Sequence, residues 1–120
     1  MKVLLFSGTR ELTPTQTANL LEELLDIKAT IQPDLVIVGD ARGVDRLVAD
    51  VFESQTARFV ADWKKYDKAG GVIRNSDMVK AAELLGVEEG YAFPGGNSRG
   101  TWDCIRKAIA NGIVMHVSKP

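Results

Sequence analysis

A chain of 120 residues, 45% hydrophobic and 26% charged with 4 prolines, has the size and composition of one folded domain with its own core, which excludes disordered and fibrous classes and a two-domain layout. The 15 Lys and Arg against 16 Asp and Glu leave a net charge of -1, so no overall positive field draws the chain to nucleic acid or an anionic membrane, and any anion site must be local. The single cysteine, Cys104, excludes an internal disulfide framework and a multi-cysteine metal site and fits a reducing cytosol.

The apolar run Val3-Leu4-Leu5-Phe6 is too short for a signal peptide or membrane span and reads as a buried first strand, closed by Ser7-Gly8-Thr9-Arg10. Thr13-Pro14-Thr15-Gln16 is a capping box with proline at the first helical position. Leu20, Leu21, Leu24, Leu25 and Ile31 then continue a helix from about 14 to 31, which Pro33 stops. Leu35-Val36-Ile37-Val38 is a continuous apolar run, as in a parallel strand covered on both faces, and it ends at Gly39. Val44, Leu47, Val48, Val51 and Phe52 return to helical spacing over about 43 to 55, and Phe59-Val60-Ala61 is expected as a short third strand.

Residues 62–71 read as a long polar loop carrying Trp63, Tyr66 and Gly70-Gly71, longer than the usual connection in an α/β unit. Val72, Met78, Val79, Ala82 and Leu85 mark a third helix capped by Gly86, and Tyr91-Ala92-Phe93 before Pro94 is the fourth strand. A last helix through Trp102, Ile105, Ala108 and Ile109 ends at Asn111-Gly112, and Ile113 to Val117 is the fifth strand. Trp102 and Cys104 are expected in the helix core, and His116 in a structural role. Strands alternating with helices imply an α/β Rossmann-like domain over 1–120: three layers, a five-stranded parallel sheet of order 3-2-1-4-5, and helices on both faces.

In such a sheet a ligand sits beyond the carboxyl ends of the strands, where the strand order reverses. That draws attention to four segments: Ser7, Gly8, Thr9 and Arg10; Gly39, Asp40, Ala41, Arg42 and Gly43; Asp62-Trp63 onward; and Pro94, Gly95, Gly96, Asn97, Ser98, Arg99, Gly100 and Thr101. The last is rich in glycine and hydroxyls and opens a helix, so free backbone N–H groups and the helix dipole favour a phosphate there. Its spacing matches neither GxGxxG nor GxxxxGK[ST], which argues against NAD and ATP enzymes of those kinds; no cofactor and no metal is expected. Arg10, Arg42, Arg74 and Arg99 lie in or just after loops of this edge and can each fork onto a phosphate or carboxylate.

Asp40 and Asp45 follow the second strand, and Asp103 lies in the first turn of the last helix, where a carboxylate suits the dipole. Such carboxylates can bind ribose hydroxyls, or stabilise an oxocarbenium-like transition state and orient water when a base is cleaved from its sugar. Trp63 and Tyr66 can stack on a nucleobase or cap the core.

The series Ser7-Gly8-Thr9-Arg10, Gly39-Asp40-Ala41-Arg42-Gly43-Val44-Asp45, Ala61-Asp62-Trp63, Gly70-Gly71-Val72-Ile73-Arg74-Asn75 with Met78, and Phe93-Pro94-Gly95-Gly96 followed by Gly100-Thr101 resembles the SLOG superfamily, closest to its YspA/YpsA-related branch. The resemblance spans nearly the whole chain and implies a Rossmann-like fold and a nucleotide or nucleotide-derived ligand, with sensing as one family role. It also implies pairing through helices, so a homodimer is expected. The Lonely Guy phosphoribohydrolases of this superfamily use an arginine in R-K-x-x-M and a glutamate in PGGxGTxxE. Arg74-Asn75-Ser76-Asp77-Met78 resembles the first motif. The second is longer by two residues here and ends in Trp102-Asp103-Cys104, so the acid would be Asp103, offset by one and a methylene shorter.

The expected function is therefore binding of a nucleotide or ADP-ribose-like ligand at the sheet edge, in the cytoplasm and without membrane or nucleic-acid partners. Gly95, Gly96, Gly100 and Thr101 would hold phosphate, with Arg74 and Arg99 neutralising it. Asp45 or Asp40 would order the second loop or touch ribose, and Ser7, Asn75, Pro94 and Ser98 would complete the lining. The alternative is a nucleoside 5′-monophosphate N-glycosidase with Arg74 and Asp103 as its catalytic pair.

Overall fold

Val3 to Phe6 and Val36 to Val38 are apolar at every position, and in the computed structural model, which describes residues 1–120, all are buried. They belong to the central strands β1 (Val3–Gly8) and β2 (Leu35–Gly39). With β3 (Thr56–Phe59), β4 (Glu89–Phe93) and β5 (Val114–Val117) these form one five-stranded sheet of order β3-β2-β1-β4-β5, every neighbouring pair parallel. The helices are α1 (Pro14–Ile31), α2 (Val44–Phe52), the single turn α3 (Trp63–Tyr66), α4 (Gly70–Leu84) and α5 (Arg99–Ala110).

Because strand side chains alternate between faces, each strand feeds two cores. Leu4 and Phe6 of β1 pack with Leu20, Leu24 and Ile27 of α1 and with Val44, Val48 and Phe52 of α2. Val3 and Leu5 point the other way, toward Met78, Val79 and Ala82 of α4 and Cys104 and Ala108 of α5. The sheet thus lies between α1 and α2 on one side and α4 and α5 on the other. At the start of α1 the Gln16 N–H donates to Thr13 Oγ1 at 3.1 Å, and the Thr13 N–H donates to Gln16 Oε1 at 2.9 Å. This reciprocal pair satisfies two donors that the first helical turn would leave free.

Three expectations need correction. The third strand is Thr56–Phe59 rather than 59–61: opposite β2, Val36 pairs with Thr56 and Gly39 with Phe59, so β2 has ended before Val60, which is 71% exposed. Residues 62–71 are largely helical rather than an irregular loop. Asp62 Oδ1 accepts from the Lys65 N–H at 2.9 Å to cap α3, a 3-10 turn over Asp67–Ala69 follows, and α4 begins at Gly70. The glycine pair survives in a helix because Trp63 lies against it, 3.2 and 3.1 Å from where Cβ atoms of Gly70 and Gly71 would stand. Trp102 is 43% exposed and stands outside the core, whereas Cys104 is buried as expected.

Candidate functional site

β1 and β4 are neighbours that end together, Gly8 opposite Phe93, and the chain leaves them toward opposite faces of the sheet. The parting loops open a cleft of about 780 Å³, in which Ala41 is the one apolar residue of the lining. Main-chain bonds fix its walls. The Thr9 N–H donates to Phe93 O and the Val44 N–H donates to Thr9 O, both at 3.0 Å, so the loop after β1 is tied to β4 and to α2. Gly43 makes the second contact possible: its φ is +79°, and a Cβ there would stand 2.4 Å from Thr9 O.

Three of the four segments expected at this edge supply most of the lining: Ser7 to Arg10, then Ala41 and Arg42, and Gly95, Gly96 and Ser98 to Thr101, joined by Asp45 of α2 and by Arg74 and Asn75 of α4; the segment from Asp62 onward supplies none. Glu11, Gln16 and Asn97 also line the cleft; of these the sequence points only to Asn97, as part of the segment from Pro94 to Thr101. Gln16 reads as part of a capping box, Glu11 follows the Arg10 turn and pairs with Arg42, and Asn97 lies within the glycine-rich run. Gly39, Gly43, Pro94 and Asp103 stand outside the lining, and Asp40 and Trp63 belong to an adjoining hollow of about 230 Å³ shared with Arg10, Ala41, Arg42 and Arg74. There the Arg10 guanidinium lies 5.5 Å from the ring centroid of Trp63, itself 45% exposed.

At one end of the main cleft α5 begins without a side-chain cap. Ser98 Oγ accepts the Gly95 N–H at 2.7 Å instead, and the first N–H of the helix to bond back is that of Trp102, to Ser98 O at 3.0 Å. The N–H groups of Arg99, Gly100 and Thr101 have no acceptor within the protein. A Cβ on Gly96 or Gly100 would meet nothing within 4 Å, so the loop is open where these donors lie.

At the other end charges crowd over Gly39. Arg74, 8% exposed, donates from Nη1 to Asp40 Oδ1 at 2.6 Å and from Nε to Asn75 Oδ1 at 3.1 Å. Asp45, 4% exposed, accepts only the Ala41 N–H, at Oδ2 and 3.2 Å. Burial pushes its carboxyl up to about 6, against the opposing pull of the Arg74 guanidinium and the Ala41 N–H. A Cβ on Gly39 would come within 2.6 Å of Arg74 Nη1 and 2.7 Å of Asp45 Oδ2, so only glycine leaves room for both groups.

Asp103 is engaged by two neighbouring side chains. Its Oδ2 accepts from Lys107 Nζ at 2.9 Å and from Asn75 Nδ2 at 3.2 Å, and Asn75 Nδ2 also donates to Gly100 O at 3.0 Å. Asp103 therefore braces Asn75 and, through it, the start of α5. Cys104 is fully buried, and that burial pushes its thiol up to about 11, away from the reactive thiolate.

No family model matches the chain. It is 36% identical over 87 residues to the Gene 61 protein of Mycobacterium phage D29, a span covering 66% of this chain and 66% of that protein. Among solved structures it resembles a D-allulose 3-epimerase from Methylomonas sp. with a TM-score of 0.34 and 11% identity, over 97% of this chain and 51% of that one. A likeness that low carries neither fold nor chemistry from the epimerase to this protein.

Proposed function

We propose that this chain is a cytosolic SLOG-type module that binds a nucleotide or ADP-ribose-like ligand in the cleft between the ends of β1 and β4, for sensing or sequestration. The observation that carries the reading is the start of α5: consecutive unpartnered N–H groups beside the open glycines Gly96 and Gly100, facing a polar cleft. Such an array favours an anion through hydrogen bonds and the helix dipole together. Arg10 and Arg99 reach the same cleft and add positive charge without making the whole surface basic, while Arg42 there is paired with Glu11. A phosphate belongs at the α5 end, its sugar toward Asp45, and a base near Trp63 and Arg10.

Binding without turnover is favoured over N-glycoside hydrolysis by the position of Asp103. Its carboxylate is held by Lys107 and Asn75 and does not line the cleft, while Arg74 is engaged by Asp40. A displacement on the order of an ångström from productive geometry costs about 100-fold in rate. Isothermal titration with AMP, ADP and ADP-ribose, followed by chromatography of the recovered ligand, tests both points. Saturable binding weakened about tenfold or more in Arg99→Ala, with the nucleotide recovered intact, is the expected result. Release of free base from AMP would move the assignment to the hydrolase, and absence of binding to all three would overturn the reading.

A further inference from the structure

We propose that Asp45 is the specificity-determining residue of the cleft: its carboxylate takes a sugar hydroxyl of a phosphorylated riboside, so that the site holds ribosyl phosphates and rejects counterparts lacking the ring hydroxyls. The inference rests on the anion reading of the cleft and fixes the orientation and sugar chemistry of its ligand.

Among the acids gathered here Asp45 is the one left unfinished. Asp40 accepts from Arg74 and from the Ala61 N–H, Asp103 from Lys107 and Asn75, and Glu11 from Arg42. Asp45 Oδ2 has a single long bond to Ala41, and Oδ1 is buried with no partner at all. The nearest guanidinium, Arg74, approaches the same point over Gly39 but forms its ion pair with Asp40. A buried carboxylate oxygen without a donor is costly, and nearly all such atoms in folded proteins are satisfied. Asp45 lines the cleft, so the missing donor is one that a ligand brings. Oδ1 itself is closed to solvent, so a ligand hydroxyl reaches the carboxylate through a partial turn about its last side-chain torsion, which is soft for aspartate and gives up the long bond from Ala41.

A carboxylate repels phosphate, so it sets polarity as well as specificity. The phosphate goes to the open N–H groups of α5, and a neutral hydroxyl donor goes to Asp45. Sites built to hydrogen-bond a hydroxyl discriminate strongly against analogues without it, because the buried partner is then left unpaired.

The groups facing Asp45 are Arg74 from α4, Asp40 and the Ala41 N–H from the loop after β2, Arg10 from the loop after β1, and Cys104 from α5. Asp45 is the one among them whose titration is moved up to about 6. Calorimetric titration of AMP and 2′,3′-dideoxy-AMP into wild type and Asp45→Asn, at about pH 7.5 and about pH 5, reads its contribution. The ratio of the two affinities cancels the titration of the ligand's own phosphate. Wild type is expected to prefer AMP by about tenfold or more at the higher pH and by clearly less at the lower, toward which burial of Asp45 favours its protonated form. In Asp45→Asn, shown folded by its thermal melt, the ratio is small and independent of pH. Equal affinities in wild type, or a preference kept in Asp45→Asn, overturn the role of Asp45 and leave the anion site standing. Failure of both nucleotides to bind wild type overturns the anion site and this inference with it.

Discussion

Asp45, Arg74 and Asp40 share a small volume over Gly39 in which one ion pair is complete and one carboxylate stands apart. That arrangement has a consequence for stability that is independent of any ligand. The folded chain holds the Asp45 proton up to about 6, whereas the unfolded chain releases it near 3.8. Between those values the native state binds more protons, so stability falls as pH rises through the window and stays low above it. The difference corresponds to about 3 kcal/mol at neutral pH, since each pKa unit is worth roughly 1.4 kcal/mol. Asp45→Asn removes that cost. Its thermal melts are expected to lie above those of wild type at pH values above about 7 and to converge with them below about 4. A variant less stable than wild type at neutral pH would show that the Asp45 charge is well compensated. Gain in stability with loss of sugar discrimination is the trade expected of a polar group kept for binding rather than for folding.

The loops at the ends of β1, β2 and β4 form a wall because main-chain bonds join them, and glycines play two separable parts there. Gly43 serves the fold: Gly43→Ala combines a strained backbone with a contact to Thr9 O and should cost about 2–3 kcal/mol, a fall in Tm on the order of 10 °C. Gly96 serves the opening: Gly96→Ala has free space for its Cβ, so it should melt like wild type yet bind AMP more weakly, because the methyl group narrows the approach to the N–H groups. Equal melts for the two variants would contradict the division. The sequence marks both as turn glycines and does not separate them, since the difference lies in what each faces. Helix α1 was readable because Thr13, Pro14 and Gln16 carry its start locally. The helical path from Trp63 to Gly70 was not, because Gly70 and Gly71 have poor helix propensity and are held by the Trp63 ring. Nor was the span of β3, where apolar content peaks one step past the last residue paired with β2.

The strand order follows from the alternation of buried runs and amphipathic helices, and with it the place of the crevice beside β1 and β4. Which charges remain free in that crevice does not follow, because it depends on pairings between distant segments. Arg74 reads as a free cation in sequence but is claimed by Asp40, and Asp103 reads as an edge acid but turns to Lys107 and Asn75. What no acidic partner claims there is Arg99, Arg10 beside the Trp63 ring, the first N–H groups of α5, and the carboxylate of Asp45. The near-neutral chain thus places an unpartnered buried carboxylate oxygen and a run of free N–H groups at the same edge of the sheet. The most direct test is a titration of the isotope-labelled protein with AMP, followed by amide chemical shifts in a two-dimensional nitrogen–proton spectrum. Saturable shifts of the Gly96, Arg99, Gly100 and Thr101 amides, with smaller ones at Ala41 and Asp45, are the predicted result. Shifts confined to other surfaces such as the β5 edge, or none at ligand excess, would contradict it.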